Sequence, residues 1–176
     1  HPKRSKDSGQ QKAQELGQLF HEFMQDYDRT FDLKAVEAQW AQQQKHTEPY
    51  ALSEMAQWVI DHPKLKNLYG PNAVAKNECT LWVPNGDAGA TPAVSMRQSQ
   101  EVLRPDRLVF GPDHRVWVLD YKTGMPKPEH TQQITRYARA LGHMGYTLEE
   151  ALIIYVQPGS IDVVSVHNTP TDELDI

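Results

Sequence analysis

Arg104-Pro105-Asp106-Arg107-Leu108-Val109-Phe110, then Gly111-Pro112-Asp113-His114, then Arg115-Val116-Trp117-Val118-Leu119-Asp120-Tyr121-Lys122-Thr123-Gly124, reads as strand, turn and strand. β-Branched and aromatic residues fill the two runs, and glycine and proline separate them. A hairpin here brings Asp106 alongside Asp120, fourteen residues further on. Side chains alternate along a strand, so Asp120 and Lys122 project to one face. A hard divalent cation takes oxygen ligands and keeps several waters. Two carboxylates and a main-chain carbonyl would therefore leave room beside it for a phosphate oxygen and a water, with the lysine ammonium placed to orient that water. This constellation is suited to metal-dependent phosphodiester chemistry. The plain alternative is a surface ion pair between Asp106 and Arg107 and a strand that simply enters a turn at Thr123-Gly124.

Outward from the hairpin, Leu16, Leu19, Phe20, Phe23 and Met24 recur at helical spacing and predict an amphipathic helix over residues 13–28. His21 sits beside its apolar face, either packed in the core or available as a ligand, and Gly17 one turn earlier would let helix and sheet approach closely. Residues 32–44 and 52–61 read as two further helices, the second stopping before Pro63. Trp40 and Trp58 on them could stack on bases of single-stranded DNA, but their helical positions among apolar neighbours favour the core. Residues 76–83 predict one strand that carries Glu78, with Pro84–Ala90 as a turn or loop. A helix over residues 129–144 places Gln133 and Tyr137 one turn apart on one face. Both would point toward the carboxylates, or Ile134, Tyr137 and Leu141 pack on the sheet. Strands at 151–157 and 161–166, joined by Pro158-Gly159-Ser160, complete an α/β fold in which a mixed central sheet is flanked by helices and preceded by an N-terminal helical region. The helix before residue 151 supplies the crossover that parallel strands need.

The order GxxxH (Gly17 to His21), a lone acid (Glu78), RPDR (Arg104 to Arg107), DYKTG (Asp120 to Gly124) and QxxxY (Gln133 to Tyr137) resembles the RecB-like branch of the PD-(D/E)XK nuclease superfamily. The likeness runs from about Glu15 to about Val166. Within that branch, Tyr137 to Tyr146 followed by Ala151 to Val156 looks like the C-terminal nuclease domain of a bacterial UvrD-type, AddA-like helicase-nuclease. The resemblance implies a restriction-endonuclease-like core that hydrolyses DNA with Mg²⁺ or Mn²⁺ during double-strand-break repair and recombination. It implies His21, Asp106, Asp120 and the Tyr121 carbonyl as metal ligands. Asp106, Asp120, Lys122 and Gln133 would be the catalytic set, with Glu78 and Tyr137 as auxiliaries. Implied partners are DNA as single strands or unwound ends, helicase domains of the same polypeptide and a second subunit. The alternatives are a non-catalytic DNA-binding or scaffold domain of a repair complex, and another endonuclease of the same superfamily.

Composition sets the outer bounds. The chain has 176 residues, 39% of them hydrophobic, enough for one domain and too few for a helicase motor as well. Residues 1–12 are polar and read as a linker or disordered start, leaving 13–176 as one nuclease domain. No apolar run approaches the ~20 residues that span a bilayer, so no membrane role and a cytoplasmic, nucleoid-associated location are expected. The single cysteine, Cys79, excludes an internal disulfide and the iron-sulfur cluster of some relatives, which needs about four thiolates. A net charge of −5 is unusual for a protein that grips phosphates. Active-site carboxylates and the tail Asp172-Glu173-Leu174-Asp175-Ile176 account for part of it, and the rest implies that neighbouring domains deliver DNA.

Overall fold

A run of good helix formers, Gln10-Gln11-Lys12-Ala13-Gln14-Glu15, carries the first helix back past the expected start at residue 13, so that α1 spans Arg4–Thr30. The computed structural model describes residues 4–43, 49–84 and 100–167. Most of the expected turn at Pro84–Ala90 and all of the acidic tail lie outside the described residues. Helix α1 ends where Phe31 adopts a positive φ of 53°, and Asp32 then caps α2 (Leu33–Gln43) by accepting hydrogen bonds from the Lys34 and Ala35 amides at 3.0 and 3.1 Å. Helix α3 (Pro49–Asp61) starts before the expected Leu52 and stops short of Pro63 as the sequence requires.

The expected strand at 76–83 is two strands. β1 (Val74–Asn77) and β2 (Leu81–Pro84) are parted at Glu78, whose φ is 46° and whose amide donates to the Asp106 carbonyl at 3.0 Å. The bend detaches β2, which pairs with β3 (Gln100–Leu103) in a separate two-stranded sheet. The main sheet has the order β1, β4 (Arg107–Phe110), β5 (Arg115–Lys122), β6 (Thr147–Gln157), β7 (Ser160–Ser165). All neighbours are antiparallel except β5 and β6, which run parallel across helix α4 (Pro128–His143). The sheet is therefore mixed and flanked by helices, and the crossover sits where the sequence placed it.

Each face of the sheet buries its own core. Phe20, Phe23, Trp40, Leu52 and Val59 from α1 to α3 pack on Val109, Leu119, Leu152 and Ile154. Ile134, Tyr137 and Leu141 of α4, together with Leu81 and Leu103 of the hairpin, pack on Leu108, Val116, Val118 and Ile153. Each fully buried aliphatic or phenylalanine side chain contributes roughly 1.5–3 kcal/mol. Because β5 and β6 are covered on both sides, their residues are apolar in continuous runs, such as Ala151-Leu152-Ile153-Ile154-Tyr155-Val156, all buried.

Candidate active site

Alternation along β5 sends Val116, Val118, Asp120 and Lys122 toward α4, and Leu119 and Tyr121 toward α1. Asp120 is buried, with 2% of its side chain exposed, while Lys122 keeps 20%. The Lys122 ammonium lies 2.5 Å from Asp120 Oδ2 and donates to Gln133 Oε1 at 2.8 Å, so α4 aims the lysine back at the carboxylate. Asp106, just ahead of β4, accepts a hydrogen bond from the Tyr121 amide at 2.7 Å through Oδ2, and its Oδ1 stands 3.3 Å from His21 Nδ1. Helix α1 reaches this point because Gly17 carries no Cβ. A methyl group there would stand 2.9 Å from Thr123 Oγ1, which itself donates to the Ala13 carbonyl at 2.7 Å.

Burial and mutual crowding set the ionisation of the groups in the site. Burial, and then the charge of Asp120, push the Asp106 carboxyl well above the ordinary carboxylate range, against the Tyr121 amide, which favours the ionised form. Burial lowers the pKa of His21 below 6.5 despite its hydrogen bond to the Tyr121 backbone, so the imidazole is neutral at pH 7 and keeps a lone pair for a ligand. Asp120 Oδ2 is buried without a well-formed hydrogen bond, although the Lys122 ammonium is close to it. Among the described residues no group of three His, Cys, Asp or Glu side chains is drawn into a ready metal cage. The donor set nonetheless fits a divalent cation, because two crowded carboxylates, one with an orphaned oxygen, and a neutral imidazole are groups whose mutual cost a bound cation would offset.

His21, Asp106, Asp120, Tyr121, Lys122 and Gln133 are thus brought together. Glu78 is exposed at the edge of the group, close enough for its charge to act on His21, and a shallow surface hollow is lined by His21, Glu78, Asp106 and Tyr121. Tyr137 is buried and donates from its hydroxyl to the Arg104 carbonyl at 3.2 Å, which braces the chain entering Asp106. On the other side of Lys122, an open cleft of about 630 Å³ runs past Thr123, Lys127 and His130 to Gln14.

One partnership was not read from the sequence. Asp106 and Arg107 do not form a surface pair. Arg107, 1% exposed, turns inward and pairs with Asp28, donates to the Leu68 carbonyl at 2.9 Å and lies 4.4 Å over the Tyr69 ring. Asn77 joins Asp28 at 2.5 Å. The signal was present in α1: Gly17, His21 and Asp28 are spaced four and seven residues apart, which places all three on one helix face. That face carries the contacts to Thr123, Asp106 and Arg107 in turn.

No curated protein matches the chain. Seven chains of solved structures do, among them one titled "Crystal structure of SSO0001", at 16% identity and a TM-score of 0.43 over 74% of this chain. This chain spans 61% of that one's length. A family model described as the PD-(D/E)XK nuclease superfamily matches residues 2–173. Members of that superfamily are generally nucleases that use divalent metals, and with its match extending over nearly the whole sequence, this chain belongs to the PD-(D/E)XK nuclease superfamily.

Proposed function

We propose that the chain is a Mg²⁺- or Mn²⁺-dependent deoxyribonuclease domain of the RecB-like branch, working with a helicase in double-strand-break repair and recombination in the bacterial cytoplasm. The observation that carries the reading is the convergence of Asp106, Asp120 and Lys122 beside His21, with the carboxyl of Asp106 pushed up by burial and by the neighbouring charge of Asp120. Asp106, Asp120, His21 and the Tyr121 carbonyl would hold the ion. When bound, the ion supplies Lewis-acid stabilisation of charge on the phosphate. Lys122 orients the attacking water, and Gln133 holds Lys122 at the angle this requires. Hydrolysis joins the water oxygen to phosphorus, breaks the ester P–O bond and leaves the proton on the departing oxygen. Glu78 lies at the mouth and Tyr137 braces the entry to Asp106.

The helicase-linked branch is supported by the roles its two flanking motifs take here. Gly17 of GxxxH admits α1 to the sheet, and Gln133 of QxxxY reaches the lysine. The net charge of −5 supports DNA delivery by neighbouring domains. Calorimetric titration of Mn²⁺ into the wild type and Asp120→Ala, alongside cleavage of single-stranded DNA with and without EDTA, tests the proposal. Metal binding lost in the variant together with EDTA-sensitive cleavage is expected. No metal binding by the wild type would favour a non-catalytic scaffold, and cleavage undiminished in Asp120→Ala would remove the assigned site.

A further inference from the structure

The small sheet formed by β2 and β3 has one buried and one open side. Leu81 and Leu103 point into the core against α4, at 4% and 7% exposure, whereas their neighbours Trp82 and Val102, paired directly across the two strands, are 59% and 52% exposed. Burial would ordinarily be expected for an indole of this size, as it is for Trp40 at 0%. An exposed indole on a β-ribbon, directly across from an aliphatic residue, offers a π-face on which a nucleobase can stack.

Two further observations say what would lie on it. Arg104, two residues beyond Val102 along the chain, is exposed and has no ion pair among the described residues, so the same end of the ribbon carries a cation. Both strands of the ribbon also lead to the candidate site from the Leu81 and Leu103 end. Trp82 follows Glu78 by four residues and Arg104 precedes Asp106 by two. A fully extended chain spans at most ~3.6 Å per residue, which places the Trp82 backbone within ~14 Å of Glu78 and that of Arg104 within ~7 Å of Asp106. The Tyr137 hydroxyl fixes the second connection by its bond to the Arg104 carbonyl.

We propose that Trp82, with Val102 and Arg104, forms a stacking platform for an unpaired base of single-stranded DNA whose scissile phosphate lies at Asp106 and Asp120. The platform rests on the nuclease reading above and specifies its substrate. A base in a duplex is already stacked and cannot lie on the ring, so the platform selects unpaired strands. The ring holds the base and the guanidinium neutralises the adjoining phosphate.

The test is titration of the wild type, Trp82→Ala and Trp82→Phe with oligothymidylate in EDTA, read by tryptophan fluorescence and by anisotropy of a labelled strand. Quenching in the wild type, its loss in Trp82→Ala with affinity weakened about 5- to 100-fold, and near-normal affinity in Trp82→Phe are expected. A duplex of the same length should bind all three proteins alike. Unchanged affinity in Trp82→Ala would overturn the platform. So would a Trp82→Ala protein whose only change is a loss of self-association in sedimentation, since a second copy would then cover the face. Hydrolysis of bis(4-nitrophenyl) phosphate with Mn²⁺, a substrate that needs no base platform, separates the two ideas. Failure of all three proteins on it would count against the nuclease, whereas equal turnover with unchanged DNA affinity would count against the platform alone.

Discussion

Replacing Gly17 by alanine should destabilise the protein only because Thr123 is opposite it, and the size of the effect can be worked from the contact. In a helix interior the change from glycine to alanine stabilises by about 1 kcal/mol. Here the new Cβ would stand 2.9 Å from Thr123 Oγ1, with the other Thr123 atoms at 3.8 and 3.9 Å. If Thr123 rotates away, it gives up its bond to the Ala13 carbonyl, about 1 kcal/mol. If instead α1 is pushed off the strand, overpacking costs up to about 3 kcal/mol. Gly17→Ala should therefore range from neutral to about 2 kcal/mol destabilising. In a Thr123→Ala background only the Cβ at 3.9 Å remains, so the same substitution should stabilise by about 1 kcal/mol. The double-mutant cycle, measured by urea denaturation in EDTA, should return a coupling of about 1–3 kcal/mol, or roughly 2–10 °C in Tm. Equal effects of Gly17→Ala in the two backgrounds would refute the reasoning.

Three further outcomes are expected. The raised Asp106 pKa means that the folded chain holds a proton the unfolded chain releases near pH 3.8, so in EDTA the wild type should lose stability relative to Asp106→Asn as pH rises from about 4 toward neutrality, by up to ~1.4 kcal/mol per pH unit, and saturating Mn²⁺ should cancel the trend; urea midpoints across pH check this. Gln133→Ala removes a charge-assisted bond worth ~1.5–3 kcal/mol from Lys122, so kcat/KM on single-stranded DNA should fall about 10- to 100-fold while calorimetric Mn²⁺ affinity holds within about threefold. Arg107→Ala, which leaves Asp28 without its buried partner, should cost about 3 kcal/mol in chemical denaturation, and a loss below ~1 kcal/mol would show that the pair is dispensable.

The sequence by itself determined the hairpin, the crossover and which side of its own element each candidate residue occupies. Breakers between two β-rich runs set the turn at Gly111 to His114, and period-two alternation set Asp120 and Lys122 on one face, because both signals are local and every residue that carries them is contiguous. Gln133 was legible for the same reason, since its helix follows the strand directly. The expected strand at 76–83 failed at Glu78, where a hydrogen bond to Asp106, distant in the chain, outweighs the preference of the run to stay extended and turns the backbone to a φ of 46°. The buried pairing of Arg107 with Asp28, and the exposure of Trp82 when a buried indole would be expected, also awaited the tertiary structure. Sequence spacing states which side of its own element a residue occupies. Whether that side meets a carboxylate, a core or solvent depends on elements brought alongside from elsewhere in the chain, and that was decided by packing.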